Sequence, residues 1–185
     1  QSGHMEAVGY DLYCKMLNEA VLIMKGEKEA IESFETAIDM DVDAFIPPSY
    51  IKNELQKLTM YKRIAAIENA EEYEDILDEL TDRFGNPPKA VTNLLRVALL
   101  KASAKAAYIQ EIKGTRRLLR IEMYPKAPVD INKIPELVTR YKGDLKFVPD
   151  AVPYFNYIPR EKIADMDSYF NLVEAVVDSI KSLLM

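Results

Sequence analysis

Apolar residues recur every three or four positions along most of this chain and switch to every second position in short stretches. Tyr10 to Met24 reads as an amphipathic helix, with Leu12, Tyr13, Met16, Leu17, Ala20, Val21 and Met24 on one side; Lys25-Gly26-Glu27 stops it. From Ala37 to Phe45 the alternation is strict. Ile38, Met40 and Val42 point one way and Asp39, Asp41 and Asp43 the other, which predicts a half-exposed strand. Pro47-Pro48 closes it, and Ser49 is placed to cap a helix running to about Ile67. An acid-rich helix is expected over about 70–84, then a long helix from Pro87-Pro88 with Val91, Leu94, Leu95, Ala98, Leu99 and Ala102 inward. Proline suits a first helical turn, whose amides have no intrahelical acceptor. Short strands at about 108–113 and 117–124 turn at Gly114-Thr115, and Pro135 opens a short helix ending near Gly143. Strands near 144–148 and 153–158 precede a C-terminal helix from Ile163, carrying Met166, Phe170, Val173, Val177, Ile180 and Leu184 at helical spacing. The pattern implies an α+β fold: a small, mainly antiparallel sheet packed against several helices, with an appended N-terminal helix. The seam falls near Gly26–Ser33, separating residues 1–30 from 31–185.

The acid-rich helix changes the picture most. From Glu68 to Asp82 there are eight carboxylates and no lysine, arginine or histidine. At about 100° per residue, Ile76, Leu77, Leu80 and Phe84 fall within roughly 60° of Tyr73, while Asp75, Glu79 and Asp82 point away. Asn69 and Glu72 have the spacing of a capping box, and the early acids suit the positive end of the helix dipole. Gly85 suits a left-handed stop and Pro87 blocks continuation. Glu79 and Asp82 lie in the half of the helix where the dipole disfavours them, so a partner surface is their expected use. Arginines on such a partner would meet Asp75, Glu79 and Asp82, with steering rather than affinity as the main gain.

Composition narrows the alternatives. A net charge of −6 and a pI near 5.0 argue against a nonspecific nucleic-acid binder. One cysteine excludes a disulfide framework and fits the cytosol, and no apolar run approaches membrane-spanning length, so a cytoplasmic protein with no membrane contact is expected. His4 is the single histidine, which excludes a multi-histidine metal site and leaves Cys14 only that histidine as a base. Asp39, Asp41 and Asp43 imitate a calcium loop, but Ala44 and Tyr50 occupy the positions that need glycine and glutamate. There is no phosphate-binding glycine loop. Lys113, Arg116, Arg117 and Arg120 make a modest basic patch on a hairpin, read first as solvated side chains and second as phosphate contacts.

Residues Gln1 to Tyr13, continuing through Leu17 and Ala20-Val21, resemble the tail of the translocation motif of RecG-like double-stranded DNA translocases and bacterial transcription-repair coupling factors (Mfd). Ser2-Gly3-His4-Met5 also resembles a tag-cleavage scar. Asp43-Ala44-Phe45-Ile46-Pro47, Tyr61-Lys62-Arg63-Ile64-Ala65 and Glu79-Leu80-Thr81-Asp82-Arg83-Phe84-Gly85 resemble the C-terminal domain of the coupling-factor family, over about residues 36–107, with a looser match beyond. The resemblance implies a regulatory, non-enzymatic domain of an ATP-dependent translocase that acts in transcription-coupled DNA repair. It would act as an autoinhibitory clamp on the parent's N-terminal UvrB-like module, masking the surface that recruits UvrA until RNA polymerase is engaged. Glu79 and Asp82 would carry the clamp contact, and Gln1 would match the motif's glutamine. Residues 1–30 would then be the motif's tail and connecting helix, and 31–185 the regulatory domain. No cofactor is expected here; ATP and Mg, and DNA contact, would belong to the parent's motor. The alternative is an accessory DNA-contacting segment, through the basic hairpin and Gln1.

Overall fold

The computed structural model describes residues 34–185. Gln1, His4, Cys14, the expected helix over Tyr10–Met24 and the Gly26–Ser33 seam lie outside the described residues. Contacts divide the described chain into a helical unit, residues 34–35 and 42–102, and a sheet unit, residues 36–41 and 103–185.

The sheet unit is built on five strands, β1 (Ala37–Met40), β2 (Ile109–Gly114), β3 (Leu119–Met123), β4 (Leu145–Val148) and β5 (Tyr154–Tyr157), in the order β1-β2-β3-β5-β4. β1 runs parallel to β2, with Ile38 opposite Ile112, and every other pairing is antiparallel. Alternation decides which face is inside: Ile38, Met40, Ile112, Leu119, Ile121, Leu145 and Phe155 are buried, while Asp39, Lys113, Arg120 and Lys146 are exposed. The Ala37–Phe45 pattern shortens to β1 because β2 runs out: Met40 pairs with Gly114, and Asp41 N–H donates to the Gly114 carbonyl at 3.3 Å. A bulge at Gln110 interrupts the β2–β3 ladder. The β2–β3 turn needs its glycine. Gly114 has φ +147°, and a Cβ there would stand 2.1 Å from the Leu118 carbonyl oxygen.

The short helix opened by Pro135 and the C-terminal helix belong to the same unit. They span Ile134–Arg140 and Met166–Lys181. The second starts three residues later than Ile163, because Asp165 takes the cap and accepts from Ser168 N–H at 2.7 Å. Tyr141 ties the pieces together. Its ring meets Tyr157 edge-on at 5.9 Å, and its hydroxyl lies 2.9 Å from Ser179 Oγ.

The helical unit contains α1 (Glu54–Ala65), α2 (Ala70–Phe84) and α3 (Lys89–Ala106), the last continuing past residue 102 into the sheet unit. Its core is Ile46, Ile51, Met60, Ile64, Leu80, Val91, Leu94 and Leu95, all essentially inaccessible. The cap expected at Ser49 is made instead by Asn53, whose side chain accepts from Gln56 N–H at 3.0 Å. Residues 47–51 are a turn in which the Pro47 carbonyl accepts from Tyr50 and Ile51, so the helix begins later. Pro88 starts α3 as expected, its carbonyl accepting from Val91 and Thr92.

Gly114→Ala places a methyl group against backbone that cannot yield, in a conformation that L-residues avoid. It is expected to destabilise the chain by about 2 kcal/mol or more, read as a lower urea midpoint at unchanged slope.

Candidate functional site

The acid-rich helix sits in a helix pair whose ends are fixed by side chains. Asn69 caps α2, accepting from Glu72 N–H at 2.9 Å, and Glu72 reaches back to Glu68 N–H at 2.9 Å rather than to the cap residue's own amide. At the other end Gly85, with φ +86° and ψ −175°, stops the helix, its N–H donating to the Thr81 carbonyl. That end exposes carbonyls without helical donors. The Tyr50 hydroxyl closes this end, its single proton shared between the Leu80 carbonyl at 3.0 Å and the Gly85 carbonyl at 2.8 Å, while its ring packs 5.9 Å from Phe84. Burial pushes the Tyr50 phenol pKa up, which keeps the hydroxyl a donor.

The three candidate carboxylates are not equivalent. Asp75 and Asp82 are exposed, and neither makes a hydrogen bond or ion pair with another described side chain. Glu79 does not stand free on the outer face as expected. It is half-buried, and its Oε2 accepts from Arg63 of α1 and, at 2.9 Å, from Arg83 one turn further along α2. The reason is angular. Glu79 lies on the flank next to Ile76, the side on which α1 packs, and Arg63 projects from the last turn of α1 toward it. The hydrogen bond from Arg63 comes first among the causes that hold the Glu79 carboxyl below its ordinary 4.5; the bond from Arg83 and the two positive charges add to it against partial burial. Both bonds use Oε2, so Oε1 is uncommitted among the described residues. Arg83 also lies 3.9 Å from Met60 Sδ and 5.0 Å from the Phe84 ring centre.

Arg63, Arg83 and Tyr50 are the site residues that pattern reading missed. Arg83 was readable, because a glutamate four residues before an arginine is the favoured helical pair. Arg63 carries no such signal, being sixteen positions away across a turn. Of the basic hairpin, Arg116 donates to the Ala164 carbonyl at 3.3 Å, and Arg120 is held by Glu122 at 3.4 Å and lies 3.8 Å from the Tyr154 ring centre. In the sheet unit a cavity of about 480 Å³ is lined by Tyr157, Pro159, Ile163, Ala164, Leu172 and Ser168, with Asp144, Arg160, Glu161 and Lys162; its cations and carboxylates balance. Among the described residues there is no group of three His, Cys, Asp or Glu side chains suited to a metal, and no helix long and apolar enough to cross a membrane.

The chain is similar to transcription-repair coupling factors in fold and in sequence. The solved C-terminal domain of a transcription-repair coupling factor superposes with a TM-score of 0.65 over 83% of this chain and 96% of that one, at 20% identity, which establishes the fold. The TRCF domain family matches residues 40–134, and the chain belongs to that family. The transcription-repair-coupling factor of Bacillus subtilis (strain 168) is 40% identical over 143 residues, 76% of this chain and 12% of that protein. That of Staphylococcus epidermidis (strain ATCC 12228 / FDA PCI 1200) is 37% identical over 133 residues, 71% of this chain and 11% of that protein. The chain thus spans about a ninth of the length of these relatives.

Because the Glu79 pKa is lowered on folding, its ion pairs stabilise the fold above the ordinary carboxylate value, and that contribution is lost as pH falls through the lowered one. Glu79→Gln is expected to cost about 0.5–1 kcal/mol at neutral pH for these partly exposed pairs. The gap from the parent chain should close below roughly pH 4 in urea titrations. A gap that persists there would assign the loss to packing.

Proposed function

We propose that this domain is the regulatory clamp of a transcription-repair coupling factor. The exposed face of α2 docks on a basic surface of the parent's N-terminal UvrB-like module, covers the surface that recruits UvrA, and lets go when the parent engages stalled RNA polymerase. The observation that supports this most is the arrangement of the acids. Asp75 and Asp82 are exposed and uncommitted among the described residues, and Glu79, on the flank beside them, is held by two arginines with one oxygen to spare. Such a ridge presents directed acceptors for arginine donors without having to order its own backbone first. Singly, exposed pairs contribute roughly 0–1 kcal/mol, so a few of them make a contact weak enough to open. A switch needs that weakness, because a competing interaction must supply only a few kcal/mol to reverse it. The domain works by binding and contributes no catalytic step. ATP, Mg and DNA belong to the parent's motor, with Gln1 as part of its translocation motif, and the whole protein acts in the cytoplasm.

Asp82→Arg is the cleanest variant, since the Asp82 side chain has no partner among the described residues to lose. In the full-length factor it is expected to raise UvrA affinity, and the separate domain should bind the N-terminal module about tenfold less tightly, with a weaker salt dependence. Glu79→Arg should do the same with some loss of stability, whereas Glu71→Arg, on the first turn, should change little. UvrA affinity unchanged in both Asp82→Arg and Glu79→Arg would remove the clamp reading.

A further inference from the structure

Two leucines near the start of α1 stand in the open. Leu55 is 76% exposed and Leu58 51%, although Met60 and Ile64 of the same helix are sealed in the core. A single exposed leucine is ordinary. These two are spaced by three, so they lie together on one helix face.

The contacts between the helices fix where that face points. Tyr50, just before α1, reaches the Leu80 and Gly85 carbonyls, Met60 meets Arg83, and Arg63 meets Glu79. Numbers rise along one helix as they fall along the other, so α1 and α2 are antiparallel. At about 100° per residue, Met60 and Ile64 lie roughly 60–100° from Arg63 on the core side, and Leu55 lies about as far round on the other. On α2, Ile76 and Leu80 stand inward of Glu79 by similar angles, and Asp75 and Asp82 stand outward. Leu55 therefore faces the same way as Asp82, with Leu58 turned further to the side. Asp82 is level with Met60, so for helix axes about 8–10 Å apart both leucines lie on the order of 10 Å from it. The acid ridge and the leucines form one outer surface, apolar at the end where α2 stops.

Charge chooses the occupant of this surface. Together α1 and α2 carry eight carboxylates against four cations. Arg63 and Arg83 are already held by Glu79, and Lys57 by Glu54. A basic surface is attracted, an acidic one is repelled, and a purely apolar one would strip water from carboxylates without pairing them.

We propose that the partner's basic surface carries an apolar patch beside its arginines and that Leu55 and Leu58 dock on it. The footprint then runs from α2 onto the first turns of α1. The proposal deepens the clamp reading and rests on it. Exposed ion pairs all weaken together as salt rises, whereas an apolar contact at one end persists and gives the docked pair a fixed register, an apolar centre with a charged rim.

The test compares the full-length factor unaltered, with L55S/L58S and with D82R, measuring UvrA affinity at low and high salt. L55S/L58S is expected to raise that affinity about tenfold at both, while the effect of D82R shrinks at high salt. In the present chain L55S/L58S should leave the urea midpoint unchanged, because both side chains are exposed. Affinity raised by D82R but not by L55S/L58S overturns the proposal and leaves the clamp reading standing; affinity raised by neither removes both. A lowered urea midpoint assigns the leucines to the chain's own packing, and self-association of the unaltered chain that L55S/L58S abolishes assigns them to a second copy. Either result overturns the proposal.

Discussion

The parallel pairing of β1 with β2 is the constraint on which the rest of the architecture depends. Antiparallel neighbours can be joined by a tight turn, but parallel ones require a long crossover. Here the crossover is residues 42–102, so the helical unit exists as the connection between two adjacent strands. After β2 two joins are local, the Gly114 turn to β3 and the β4–β5 pair, while β3 meets its neighbour β5 only after the short helix and β4 have intervened. Four residues of β1 therefore anchor a connection many times their own length, and the alternation that marks β1 sets Asp39 directly opposite Lys113 on the exposed face.

Within the helical unit, the shared carboxylate of Glu79 has a similar role on a smaller scale. One carboxylate oxygen between two guanidinium groups is a poor source of stability where all three side chains are partly wet. Its effect is on position. The contact fixes the rotation of α2 against α1, and with it the direction in which Asp75 and Asp82 face. Tyr50 does the equivalent at the helix end, where its hydroxyl ties the Leu80 and Gly85 carbonyls to the turn at residues 47–51. A ridge of carboxylates on a helix free to roll would present no defined surface.

How much of this could be read from the chain depends on the range of the interaction. Helix periods, the Asn69 cap, the Gly85 stop and the glycine turn at Gly114 are encoded within a few residues of where they act, and they were legible. Ser49 and Asn53 are both competent caps, and the choice went to Asn53 because the Pro47 carbonyl holds residues 50 and 51 in a turn. The direction of β1 was not legible, because a period of two is the same in parallel and antiparallel strands. Nor was the Arg63–Glu79 contact, which follows from how the two helices pack and not from spacing along either. For the same reason the acid ridge was visible as composition while the division of labour within it was not. Gln1 and the segment around it lie outside the described residues.

Charge is distributed differently over the two exposed faces. On the sheet, Lys113, Arg120 and Lys146 alternate with Asp39, Glu111 and Glu122, so each cation has a carboxylate within a strand or two and the face carries no net sign. On α2 the carboxylates outnumber the cations, and only Glu79 is answered by arginines, Arg63 and Arg83. Asp75 and Asp82 therefore keep an uncompensated negative charge that the sheet face lacks, and like charges held on one helix face repel one another. That repulsion is a cost to the helix which its cap at Asn69 and the Glu79 pairs offset from within.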